Sequence, residues 1–133
     1  MAGKTDYLEN KILDHILKNT AYTSPTTVYI ALFTAAPSDA YTSGSPDGTE
    51  VSGNAYARQS VAFASASSGA TSNSADITFP TPTGSWGTVT HFGIFDASTA
   101  GNLLYWNSLT ASQAIASGNI VKFLTGDIDV SED

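Results

Sequence analysis

Trp86-Gly-Thr-Val-Thr-His-Phe-Gly-Ile-Phe-Asp96 is the stretch whose reading decides the fold. Its β-branched and aromatic residues predict a central β-strand over 88–95, entered from a tight turn at Gly84-Ser-Trp-Gly87. Ala97 to Gly101 then reads as a hairpin loop, and Asn102-Leu-Leu-Tyr-Trp-Asn-Ser-Leu109 as the return strand. No catalytic motif is visible in the stretch.

Upstream, Thr26-Thr-Val-Tyr-Ile-Ala-Leu-Phe-Thr34 is the clearest strand of the first half. Apolar residues occupy both of its faces, so it reads as central and covered on both sides. Pro37 ends it, and Ser38 to Gly53 reads as a long polar loop. Shorter strands are expected over Tyr56–Phe63, Asp76–Phe79, Ile120–Leu124 and Ile128–Val130, with a brief segment from Gln113 to Ala116. Ala64 to Ser74 is a second run of small residues, read as a loop.

One helix is expected, over residues 5–19. Leu8, Ile12, Leu13, Ile16 and Leu17 recur at helical spacing, Thr5 is placed to cap the start, and Asn19 to close the end. So short a helix is marginal alone, and its stripe must pack on something. Either it covers the sheet or it docks on a neighbouring subunit.

The fold expected is therefore mostly β. It is an antiparallel β-sandwich or jelly-roll-like domain with one N-terminal α-helix, a single domain over 1–133 with the sandwich at about 26–130. Strand order stays open, because no Asn-Gly or other decisive turn fixes the hairpins.

Composition narrows the function. Of 133 residues only 13% are charged, about half the usual share near 25%. The net charge is −7, and the basic residues are Lys4, Lys11, Lys18, Arg58 and Lys122. With no basic stripe, neither nucleic acid nor an anionic membrane surface is expected as a partner. There is no Cys, which excludes disulfides, thiolate catalysis and Cys-type zinc sites. The polar N-terminus lacks a signal-peptide core, and no apolar run reaches the roughly 18–20 residues of a membrane span.

Several stretches, in this order, carry a resemblance. They are Tyr7-Leu-Glu-Asn-Lys-Ile-Leu-Asp14, Val28-Tyr-Ile-Ala-Leu-Phe-Thr34 ahead of Pro37, Gly48-Thr-Glu-Val-Ser-Gly53 running into Tyr56-Ala-Arg58, Phe79-Pro80, Trp86 to Ala97, and Gly101-Asn-Leu-Leu-Tyr105. Together they resemble a family of small tailed-phage virion proteins commonly named phage tail fibre proteins, across nearly the whole chain. The resemblance implies a bacteriophage structural protein with no enzyme activity and no site residues to transfer.

The candidate chemistry is thin. His91 has one other histidine to work with, His15, at no metal-binding spacing, so it reads as structural, bonded to a loop carbonyl. Asp96 reads as a turn residue whose carboxylate binds backbone N–H groups, the alternatives being an acid that joins Asp76 or Asp47 or pairs with Arg58. Arg58 reads as half of a structural pair with an acid. Asp127-Ile-Asp129 with Glu132 and Asp133 reads as a solvated acidic edge rather than a calcium site. No nucleophile elbow or phosphate loop is present. No catalytic, cofactor-binding or metal residue is assigned.

The function expected is that of a non-enzymatic structural protein of a tailed phage, a capsid decoration or a fibre-type subunit of the virion, assembled in the host cytoplasm. The alternatives are a tail or baseplate component, or a carbohydrate-binding module using Tyr41, Trp86, Tyr105 or Trp106 on a host glycan. Leu8, Ile12, Ile16, Tyr105 and Trp106 are the candidate interface. The partners expected are major capsid or tail proteins and further copies of the chain, as a homo-oligomer with a trimer first in line.

Overall fold

The computed structural model describes residues 3–132. Along the chain they form β1 (Gly3–Lys4), α1 (Asp6–Leu17), β2 (Val28–Ala35), β3 (Thr49–Glu50), β4 (Gln59–Val61), β5 (Ala70–Ser72), β6 (Ile77–Thr78), β7 (Gly87–Phe95), β8 (Leu103–Ile115), β9 (Lys122–Phe123) and β10 (Asp129–Ser131). The architecture is mostly β and antiparallel with one N-terminal helix, as expected.

The large sheet has the order β1-β8-β7-β2-β3, and β4 also pairs with β2. β7 takes one edge of β2 over Tyr29–Phe33. β4 therefore pairs with the first half of the other edge, Val28–Ile30, and β3 with its last part, Phe33–Ala35. Two ribbons, β10-β5 and β6-β9, complete the structure.

Period-two alternation sends the residues of β2 and β7 into two cores. Ile30, Leu32, Phe92 and Ile94 face one side, where they meet Ile77 of β6, Val130 of β10, and Ile128, Phe79 and Trp86. Ala31, Phe33 and Phe95 face the other, with Leu103 and Tyr41. All four residues Ile30–Phe33 are buried, so β2 is covered on both faces, as its composition requires.

Gly93 makes the second core geometrically feasible. A Cβ there would sit 2.7 Å from Leu103 Cδ1 and 3.0 Å from Phe33 Cε2. The space is taken instead by Phe33 and Phe95, stacked with centroids 6.2 Å apart, and by Tyr41, edge-on to Phe95 at 5.5 Å.

Several expected boundaries shift. The helix is Asp6–Leu17, not 5–19. Thr5 is its N-cap, accepting from Leu8 N–H, and Asn19 adopts φ 55 just beyond the end. The strand expected over Tyr56–Phe63 is only Gln59–Val61, because Tyr56 and Arg58 turn inward to other work and Phe63 makes an isolated bridge to Asn73. The polar loop contains β3, and the Ala64–Ser74 run contains β5. The segments expected at 102–109 and 113–116 are one strand, β8. They merge because Val89 pairs with Gln113 and His91 with Ser108, so Leu109–Ser112 bulge without breaking the strand.

Gly93→Ala is expected to lower stability by about 1–3 kcal/mol through overpacking, since Leu103 and Phe33 are fully enclosed. Denaturant unfolding measures this, and an unchanged midpoint contradicts the packing account.

Candidate functional site

Thr5 is wholly buried and fastens the start of α1 to β8. Its N–H donates to Leu104 O (3.0 Å) and its hydroxyl to Leu103 O (2.6 Å). Asp6 N–H donates to Asp39 O (2.9 Å). Leu8 is buried against the body and Ile12 is half-buried. Beyond that the apolar side chains stand in water, with Leu13 54%, Ile16 69% and Leu17 78% exposed. At 3.6 residues per turn, Leu17 lies two and a half turns from Leu8 and points the opposite way. The apolar stripe is thus wide enough to anchor one turn and leave the rest bare.

The other candidate interface residues are divided by the pleat of β8. Tyr105 packs against the first core and donates its hydroxyl to Glu132 Oε1 (2.8 Å). Burial, then the hydrogen bond and charge of Glu132, holds that hydroxyl well above the usual tyrosine value. Glu132 also pairs with Lys4 of β1. Trp106 packs against the second core and donates from Nε1 to Asp39 Oδ1 (2.8 Å), with its ring 5.9 Å from that of His91. Tyr41 and Trp86 are core residues. Trp86 donates to Asn54 O (2.9 Å) and meets Tyr56 and Phe79 edge-on. The four aromatics are therefore not brought to one groove.

The remaining residues fall into structural roles. His91 Nδ1 lies 2.8 Å from the hydroxyl of its strand neighbour Thr90, not from a loop carbonyl. His15 Nδ1 accepts from Tyr22 N–H (3.2 Å). Asp96 closes the β7–β8 turn as expected, accepting from Asn102 N–H (2.7 Å) and from Asn102 Nδ2 (2.8 Å). Asp47 accepts from Ser38 N–H (3.0 Å) within the long loop. Asp76 accepts from Thr125 N–H (2.8 Å), and that bond, with the one from the Thr125 hydroxyl, lowers its pKa. Asp127 accepts from Leu124 N–H (2.8 Å), and Asp129 is exposed on β10. Asp133 lies outside the described residues. Among the described residues no group of three or more His, Cys, Asp or Glu could hold a metal ion. No helix of these residues is long and apolar enough to cross a membrane.

The Arg58 side chain is largely enclosed, and its partner is Glu50, which sequence reading did not single out among the acids. Its Nε and Nη2 donate to the two Glu50 oxygens, both at 2.8 Å. Its Nη1 donates to Ala97 O (2.9 Å) and Ala100 O (2.8 Å). Its Cζ sits 3.6 Å from the Phe95 ring centroid. Side-chain exposure is 5% for Arg58 and 24% for Glu50. Tyr56 completes the cluster, donating to Glu50 Oε2 (2.8 Å) and accepting from Leu32 N–H (3.0 Å). Burial, then the negative charge of Glu50, pushes the Tyr56 hydroxyl far above the ordinary tyrosine value. For Arg58, burial disfavours the charge, and the hydrogen bonds and charge of Glu50 more than offset it. The only sequence signal for Glu50 is its place in a Thr-Glu-Val run directly after Gly48.

Beside β8 lies a trough of two adjoining hollows, about 500 and 280 Å³, which share Leu109, Gln113, Lys122 and Phe123. The larger is polar, with Asn107, Thr110, Asp127 and Asp129 among its walls. The smaller is apolar, walled by Leu32, Val89, Ile115, Ile120 and Val121.

The family described as Podophage GP4 fiber I protein gp80 matches residues 3–131 of the chain. No curated protein matches it.

Arg58→Ala is expected to cost about 3–5 kcal/mol, because it strands a partly buried carboxylate and two carbonyls. Arg58→Lys recovers little, since an ammonium cannot form the paired contact. Urea titration decides, and a loss below about 1 kcal/mol contradicts the role assigned here. Tyr56 sets an alkaline limit. The unfolded chain ionises this group near 10, its ordinary value, while the folded chain keeps it neutral. Its contribution is complete below that pH and is lost as pH rises through the folded pKa. Melting temperature is expected to fall between about pH 9 and about pH 11, and less steeply in Tyr56→Phe.

Proposed function

The chain belongs to this family of podophage fibre proteins, and from that we propose that it is a non-enzymatic structural subunit on the exterior of a tailed-phage particle, of the fibre type. The family match over residues 3–131 carries the reading. The bare outer face of α1 supports it, since a structural subunit needs surfaces that others cover. The subunit works by repeated contacts with copies of itself and with head or tail proteins, and such contacts add as avidity on a symmetric particle. A homotrimer is the proposed assembly. The reading assigns no reaction to the chain and no role to any single acid, base or nucleophile.

The test is co-sedimentation of the purified protein with particles lacking it, as separated heads and tails. Saturable binding to tails at a few copies per particle is expected. Binding to heads at a number matching the shell symmetry replaces the fibre reading with a capsid decoration. Binding to neither overturns the virion role.

A further inference from the structure

Among the apolar parts of the described surface left bare, two differ in shape. One is a knob, the outer face of α1 with Leu13, Ile16 and Leu17. The other is a hollow, the apolar end of the trough beside β8, where Ile120 is 59% exposed and Leu109, Val121 and Phe123 are half-buried. The hollow lies beside the bulge of β8, with Leu109 and Gln113 at the two ends of the bulged segment among its walls.

We propose that the outer face of α1 in one copy of the chain seats in the trough beside β8 of a second copy. Size is the first argument. The apolar hollow is about 280 Å³, and a cavity of about 150 Å³ already holds a benzene-sized group, so about two aliphatic side chains of a helix fit. Charge is the second. Glu9 lies four residues before Leu13 and seven before Ile16, on the same helical face. Lys122 lines both hollows with about half of its side chain exposed beside its ion-pair partner Asp76 (3.5 Å), and it is the cation that the trough offers Glu9. Net charge points the same way. Up to residue 18 the bases Lys4, Lys11 and Lys18 balance the acids Asp6, Glu9 and Asp14, so the whole net charge of −7 lies on the body. The helix is the element that approaches a second acidic body with least repulsion.

Area is the third argument. Three exposed aliphatic side chains present on the order of a few hundred Å² of apolar surface, the scale of an interaction patch. That is below the roughly 800 Å² per partner of a standard stable interface. One seat is therefore weak alone. The contact joins two different patches, and in the homotrimer proposed above it closes into a ring in which each copy gives one helix and receives one. Closure doubles what each copy buries. The inference rests on the reading of the chain as a self-assembling subunit and names the contact that makes the assembly.

The chain contains no cysteine, which makes disulfide trapping clean. Leu17→Cys and Ile120→Cys would be prepared separately, mixed dilute, concentrated and oxidised mildly, with circular dichroism to check folding. Both positions are exposed, so the fold is expected to survive. The proposal expects covalent dimers in the mixture and at least about tenfold fewer in either variant alone. It also expects Ile16→Lys to weaken association by at least about tenfold in sedimentation equilibrium. Trapping in Leu17→Cys alone, equal to that of the mixture, overturns it in favour of helix against helix. Absence of trapping in every sample overturns it as well. No virion part is present, so failure here leaves particle binding untouched, and failure of particle binding leaves this result standing.

Discussion

Burial of β2 and β7 on both faces is the constraint from which the rest of the structure follows. A strand apolar on both sides needs cover on both, so one sheet is not enough. The two ribbons and the buried aromatics Phe79 and Trp86 cover one face. On the other, Tyr41 and Leu103 close over Phe33 and Phe95. The second core is small and dense, and it depends on a missing side chain at Gly93.

A chain with few charges places one of them inside. Arg58 joins two parts of the chain, the nearby β3 edge through Glu50 and, about forty residues on, the end of β7 with its loop through the Phe95 ring and the carbonyls of Ala97 and Ala100. The loop carries Ala100 at φ 50 and Gly101 at φ 76, a conformation that leaves its carbonyls turned inward and in need of a donor. The guanidinium supplies that donor and meets a carboxylate at the same time, which an ammonium cannot do. Net stability from such a pair is modest, and its effect is to hold the loop and the edge strand in one arrangement.

The outside of the molecule follows another logic. Most strands are short, and the polar surface is built from hydroxyls, amides and backbone. Against that background the bare helix face and the apolar hollow beside β8 stand out as surfaces that folding of a single chain leaves uncovered. Contiguous apolar surface left bare in this way is the kind that marks interaction sites on proteins in general.

Much of this was legible in the residues. The run of Val28–Phe33 and the stretch from Thr88 to Phe95 showed two central strands, because β-branched and aromatic density is a local property. Helix α1 was legible from its 3.6-residue period and from Thr5, and the turn role of Asp96 from its place after Phe95. Glu50 was not, since nothing local marks one acid among several as the mate of Arg58. The continuity of β8 was not either, because a bulge looks like a break when only the sequence is read. The direction of the apolar stripe is the sharpest case. Period shows that Leu8, Ile12, Leu13, Ile16 and Leu17 are apolar at helical spacing, and it is silent on which of them meets the body. Composition and pattern determined a mostly β, acidic, cysteine-free chain with one amphipathic helix. Only the tertiary structure decided strand order, the Arg58–Glu50 pairing and the bare outer face of α1, because each depends on which side chains and segments the fold brings to the same place.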